Sequence, residues 1–167
     1  MSMQVVGVQL DIRWENKPAN FAKVAALLDH AVIEPGSLIV LPEMFATGYS
    51  MDVATIHEGE AGETATFLRE MARKYRSFLH GGLVSLSPDG RGRNESLTID
   101  PAGNEIARYG KMHPFSYAGE TNHYLPGERL VTFPWNRFTV ASFICYDLRF
   151  PEIFRHAVQC HANLFIV

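Results

Sequence analysis

The sequence predicts an α/β fold of stacked sheet and helix layers, and three observations carry that prediction. First, an apolar run over residues 4–10, a helical pattern beginning at Lys17 and a second apolar run over 37–41 follow one another. Strand–helix–strand order with short connections is the pattern of a parallel pair with a crossover helix. Second, residues 93–99 and 105–109 flank the turn Asp100-Pro101-Ala102-Gly103-Asn104, and residues 129–134 and 137–144 flank Trp135-Asn136. Both read as hairpins, so antiparallel pairs join the parallel ones and the sheet is mixed. Third, 167 residues is the length of one domain.

The elements follow in order. The helix after Lys17-Pro18-Ala19-Asn20 repeats Phe21, Val24, Ala25, Leu28 and Val32 at helical spacing, and Pro35-Gly36 ends it. Residues 37–41 form a buried strand, fully apolar from Leu38 on, that stops at Pro42-Glu43. Residues 44–62 are irregular, rich in Gly, Thr and His. A second helix starts at Glu63 and reaches Arg76, with Phe67, Leu68, Met71 and Tyr75 on one face. Residues 78–87 form a strand closed by Pro88-Asp89-Gly90-Arg91-Gly92. After the first hairpin a long loop holds Lys111 and Glu120 and runs to Gly127. A short helix over 152–160 and an apolar strand over 163–167 complete the chain.

Composition excludes several classes. The formal net charge of −3, with no basic stripe, gives no electrostatic footprint for nucleic acid. No apolar run approaches the roughly 20 residues that cross a bilayer, and the first residues lack the basic start and long apolar core of a signal peptide. Two cysteines, Cys145 and Cys160, do not make a disulfide framework. A reducing cytoplasm fits. Cys145, His156, Cys160 and His161 lack the paired ligand spacing of structural zinc, and neither His80-Gly81-Gly82 nor Gly90-Arg91-Gly92 has the glycine spacing of a phosphate loop. Neither metal nor cofactor is implied.

Three segments carry the chemistry. In Phe143-Ile144-Cys145-Tyr146-Asp147-Leu148-Arg149-Phe150-Pro151-Glu152 a thiol stands where an apolar strand runs into a charged turn, rigid behind and open in front. The Tyr146 backbone N–H lies beside it as an oxyanion donor. A buried structural cysteine is the alternative. Leu41-Pro42-Glu43-Met44-Phe45 places a carboxylate just past a strand end, where it could move protons. Tyr109-Gly110-Lys111-Met112-His113 places a lysine after another strand. A cysteine–histidine pair of Cys145 and His113 is conceivable but leaves Glu43 and Lys111 unexplained.

In this order the three segments resemble the carbon–nitrogen hydrolases of the nitrilase superfamily, whose Glu–Lys–Cys triad lies in such contexts. The match through Pro42-Glu43-Met44-Phe45-Ala46-Thr47-Gly48-Tyr49 and the tail of the cysteine segment is similar to the omega-amidase branch. The resemblance implies a four-layer α-β-β-α sandwich with mixed sheets. It implies a cysteine-dependent amidase in which Glu43, Lys111 and Cys145 are catalytic and Glu120 orients the lysine or the substrate. The substrate would be a small linear amide, such as a 2-oxo dicarboxylic acid monoamide. A nitrilase or a carbamoylase would share the triad, and an inactive partner-binding fragment is the non-catalytic alternative. Phe45, Tyr49, Phe115 and Tyr117 are candidates to wall the pocket. Arg149 either pairs with Asp147 or Glu152 in the turn, the simpler expectation, or grips a substrate carboxylate. Self-association, as a homodimer if the fold is complete, follows from the same resemblance, whereas composition and the cysteine count carry the cytoplasmic location and the expectation of no membrane or nucleic-acid partner. In that family a strand like 163–167 lies mid-domain, so the resemblance also implies a single domain over 1–167 that is incomplete after this strand.

Overall fold

The computed structural model describes residues 3–59 and 61–167. Met1, Ser2 and Glu60 lie outside the described residues, which removes the first two positions of the N-terminus and one position of the irregular segment over 44–62.

The first sheet is five-stranded, in the order β1 (Val5–Gly7), β2 (Leu38–Val40), β3 (Phe78–Leu86), β4 (Gly92–Ile99) and β5 (Glu105–Gly110). β1, β2 and β3 are parallel, whereas β3–β4 and β4–β5 are antiparallel. The second sheet pairs β6 (Thr132–Trp135) antiparallel to β7 (Phe138–Ser142), and β7 parallel to β8 (Leu164–Ile166). Helix α1 (Lys17–His30) is the β1–β2 crossover. α2 (Val53–Ile56) and α3 (Glu63–Tyr75) connect β2 to β3, and α4 (Pro151–Gln159) connects β7 to β8.

Alternation along the strands sorts the side chains into layers. Ile39 and Leu41, Leu79 and Leu83, and Leu97 and Ile99 are buried in one cluster with Val24 and Leu28 of α1 and Leu68 and Ala72 of α3. Leu38 points the other way and is buried with Phe133, Trp135, Val140 and Ile166 of the second sheet. Ala141 and Phe143 face outward from that sheet onto Ile153 and Ala157 of α4. The order is therefore helix, sheet, sheet, helix, as the resemblance implies.

Local chemistry ends the elements. The Asn16 side chain accepts from the Ala19 N–H at the start of α1, a side-chain cap typically worth about 1 kcal/mol. The buried Glu58 carboxylate accepts from the Thr64 N–H in the first turn of α3 and pairs with Lys17 at 2.9 Å. Arg76 closes α3 in a left-handed conformation. The strands β1, β2 and β8 are shorter than the apolar runs that predict them, because each run continues past the last paired residue.

His80 is buried between the sheets, with Nδ1 2.9 Å from Thr98 Oγ1. Burial pushes its pKa down from 6.5 to about 4. Between those values the unfolded chain binds a proton that the folded chain does not, so stability falls as pH drops through this window. The loss is about 2–3 kcal/mol by pH 4.5, because one pKa unit is about 1.4 kcal/mol. His80→Gln removes that part of the slope. Urea denaturation at pH 7 and pH 4.5 should show the wild-type protein losing that much more stability than the variant, and equal losses would contradict the assignment.

No helix among the described residues is long and apolar enough to cross a membrane.

Candidate active site

Four chain segments converge at the ends of β2, β4, β5 and β7. Glu43 follows the stop of β2 at Pro42, and the next residue, Met44, has φ +45°. Non-glycine residues occupy that region rarely, and they cluster at sites where surrounding structure holds them. The room for this turn comes from β3. A side chain at Gly82 would collide with the Met44 backbone nitrogen and sit 3.1 Å from Glu43 Cα. The Gly81-Gly82 pair, which resembles no phosphate loop, is there so that the glutamate segment can lie against the strand.

Lys111 directly follows β5, and its backbone N–H donates to Asn94 O of β4 at 2.9 Å. Its side chain is 1% exposed, and Nζ lies 3.0 Å from Glu43 Oε1 and 2.9 Å from Glu120 Oε2. Burial of the ammonium alone would lower its pKa, but Glu43 and Glu120 outweigh that and hold it above the ordinary lysine value. The Tyr49 ring lies 5.3 Å from Nζ, a cation–π distance. Glu120 opens a 3₁₀ turn, Glu120–Asn122, is fully buried, and accepts through Oε2 from the Phe115 N–H.

Cys145 begins the 3₁₀ turn Cys145–Arg149 just beyond β7, with φ +47° and its side chain reachable from solvent. Desolvation and the Glu43 carboxylate push the thiol pKa up, and the Lys111 ammonium pulls it down without reversing the rise. The thiol therefore needs a base to take its proton near neutral pH, and Glu43 is the carboxylate acting on it. The Tyr146 backbone N–H has no hydrogen-bond partner among the described residues. Two cavities meet at Cys145. One, of about 280 Å³, is shared with Glu43, His80 and Ser96. The other, of about 660 Å³, is bordered by Phe115, Tyr117, Tyr146, Leu148 and Arg149.

Asp147 anchors this turn. It is fully buried and accepts from the Ile144 N–H at 3.0 Å, the His113 N–H at 2.9 Å and the Tyr109 hydroxyl at 2.7 Å, with His113 Nδ1 at 2.8 Å. The His113 ring stacks on Phe150 at 3.7 Å. One carboxylate thus ties the cysteine turn to the lysine loop. With His113 committed to Asp147, the charged groups acting on the thiol are Glu43, Lys111 and Glu120.

The structure brings together Glu43, Lys111, Glu120 and Cys145, and places Tyr49 over the lysine. Phe115 packs against Tyr146 and Tyr117 beside the larger cavity, and Tyr117 is exposed. Phe45 is different: it is fully buried on the helix-facing side against Phe21 and Phe67 and borders neither cavity. The simpler expectation for Arg149 also fails. Asp147 is saturated by other donors, and among the described residues Arg149 has no ion pair with it or with Glu152. Sequence reasoning missed Asn94, whose side-chain nitrogen lies 2.7 Å from Glu43 Oε1 and 3.0 Å from Glu120 Oε1.

Comparison with known proteins shows the family and the fold. The family model described as carbon-nitrogen hydrolase matches residues 5–167. A Yersinia enterocolitica protein named omega-amidase YafV is 34% identical over 165 residues, which is 99% of this chain and 62% of that protein. The 2-oxoglutaramate amidase of Bacillus subtilis is 28% identical over 170 residues, 100% of this chain and 64% of that one. The crystal structure of Saccharomyces cerevisiae Nit3, a member of branch 10 of the nitrilase superfamily, superposes with a TM-score of 0.82 at 27% identity, covering 98% of this chain and 62% of that one. The chain thus spans somewhat over three fifths of the length of these relatives. The triad motifs in order, their convergence on one buried lysine and the match along almost the whole chain lead to one assignment: the chain belongs to the carbon–nitrogen hydrolase family of the nitrilase superfamily.

Proposed function

We propose that this chain carries the chemistry of a cysteine-dependent amidase, hydrolysing a small linear amide to carboxylate and ammonia through a thioester. The observation that carries the proposal is Lys111, buried and held between Glu43 and Glu120, beside a cavity that Glu43 shares with the Cys145 thiol. In the first step Sγ bonds to the amide carbon while the thiol proton passes to Glu43. Lys111 and the Tyr146 N–H receive the oxyanion. Losing one such donor typically costs about 3 kcal/mol of transition-state stabilisation. Collapse breaks the C–N bond, Glu43 returns its proton to the departing nitrogen, and ammonia leaves. Water then attacks the thioester as Glu43 takes its proton, the C–S bond breaks, and the proton returns to sulfur. A shuttle of this kind is worth about 10²–10⁴ in rate. Glu120 keeps Lys111 in place.

For substrate we favour the omega-amide of a 2-oxo dicarboxylic acid. Two of the relatives bear names of that activity, and Arg149, which has no ion pair among the described residues, borders the larger cavity together with Cys145. A guanidinium there can take a carboxylate in a two-point contact. The test is ammonia release from a 2-oxo dicarboxylic acid monoamide and from a neutral amide of equal length. Arg149→Met should raise KM for the acidic amide about 10–100-fold, the equivalent of about 1.5–3 kcal/mol for a charge-assisted contact, and leave the neutral amide unchanged. Equal effects on both amides would rule out the carboxylate contact.

A further inference from the structure

Asn94 is the third residue of β4, near the end of the strand that the site uses, and is 2% exposed. A buried asparagine with only a structural duty usually satisfies nearby backbone. The side chain of Asn94 does something else. Its nitrogen is 2.7 Å from Glu43 Oε1 and 3.0 Å from Glu120 Oε1, so one N–H is directed at each carboxylate. Lys111 Nζ reaches the same two oxygens, at 3.0 Å and 3.2 Å. The four side chains form a closed ring in which two donors alternate with two acceptors. The amide orientation is dictated, because an amide oxygen turned to these positions would face two carboxylates. The price is that Asn94 Oδ1 is buried with no hydrogen-bond partner among the described residues.

The ring treats the two oxygens of Glu43 differently. Oε1 accepts from both Asn94 and Lys111, whereas no N–H donor reaches Oε2 among the described residues, and the Cys145 thiol hydrogen-bonds to the same carboxylate. We infer that Asn94 is a positioning residue that holds Oε1 of Glu43 and thereby leaves Oε2 as the oxygen that exchanges protons with the Cys145 thiol, the leaving nitrogen and water. The inference rests on the proposed role of Glu43 as proton carrier. Lys111 alone cannot fix the carboxylate, because it is a compact cation on a flexible stem and tolerates rotation of the group it pairs with. The second N–H contact, from a rigid strand, removes that freedom. A neutral donor is also the right chemical type. The ring carries two negative charges and one positive, and a second cation would hold the proton carrier in its deprotonated state.

The experiment is a double-mutant cycle on the purified protein, read as ammonia release from the amide that it turns over fastest. Asn94→Ala should lower kcat about 10–100-fold with KM within about twofold, because positioning acts on the chemical step and not on substrate binding. Asn94→Asp keeps the shape but replaces the donors with acceptors. It should lose at least as much, and it provides the same reading if the alanine variant folds poorly. In a Glu43→Gln background either substitution should cost less than about threefold, since the group it acts through is gone. Parental kcat in a folded Asn94 variant would overturn the inference, as would a loss that persists in full beside Glu43→Gln. Parental activity in Glu43→Gln alone is a different outcome, which would overturn the proposed function and remove the basis for the inference with it.

Discussion

Cys145→Ala abolishes amide turnover, with a loss on the order of 10⁶ in kcat, the scale seen when a covalent nucleophile is removed. Cys160→Ala leaves most activity in place. Both thiols are solvent-accessible, so exposure does not separate them. What separates them is what surrounds them. Cys145 has Glu43, Lys111 and Glu120 acting on it and sits in a left-handed turn locked by Asp147, whereas Cys160 merely caps the C-terminus of α4. Since burial and Glu43 hold the Cys145 thiol above its ordinary value of 9.0, its alkylation by iodoacetamide should still be accelerating as pH rises past 9. A Cys145→Ala protein with parental ammonia release would end the account.

Lys111→Met should remove both activity and several kcal/mol of stability. The lysine is 1% exposed and the Glu120 side chain fully buried. Removing the cation leaves two carboxylates facing each other across Asn94, and breaking a buried pair in this way typically costs about 3–5 kcal/mol. The lysine is held above its ordinary 10.5. Its stabilising contribution is therefore present in full below pH 10.5 and is lost as pH rises through the folded value. Glu43→Gln is the contrasting variant. It keeps the shape and an acceptor for Asn94 and Lys111, so its urea midpoint should stay close to the parent while kcat falls about 10²–10⁴. Ammonia release and urea denaturation measured on both variants check this split. A Lys111→Met protein as stable as Glu43→Gln would show that the buried pair carries little of the fold.

Much of this was legible in the sequence because the signals are local. Apolar runs, helix caps and turn residues place every strand and the three longer helices within a few positions. The fourth helix, α2, was missed because it is a single turn capped by Asp52 inside a segment that reads as loop. The Glu43, Lys111 and Cys145 segments are visible as motifs, and their chemistry follows from residue type. What stayed hidden depends on the packing of one sheet against the other. Arg93-Asn94-Glu95-Ser96 reads only as the polar start of a hairpin arm, yet Asn94, Ser96 and Thr98 are buried. They point at the second sheet, and a polar strand face inside a sandwich is the signal that could have drawn attention to Asn94. Asp147 reads as a surface partner for Arg149 until the structure shows it inside, engaged by Tyr109 and His113. Phe45 reads as a pocket wall because it follows Glu43 by two residues. The left-handed turn at Met44 sends it to the opposite face of the sheet, against Gly81 and Phe67.

Covalent catalysis by this chain would pass through a thioester on Cys145. The direct measurement is acid quenching of the protein during turnover of the amide, followed by intact-mass and peptide mapping. The quenched protein should carry an added mass equal to the substrate minus ammonia, on the peptide that contains Cys145 and removed by hydroxylamine. The same acyl mass on the Cys160 peptide, or steady ammonia release from protein whose Cys145 has first been fully alkylated, would contradict it.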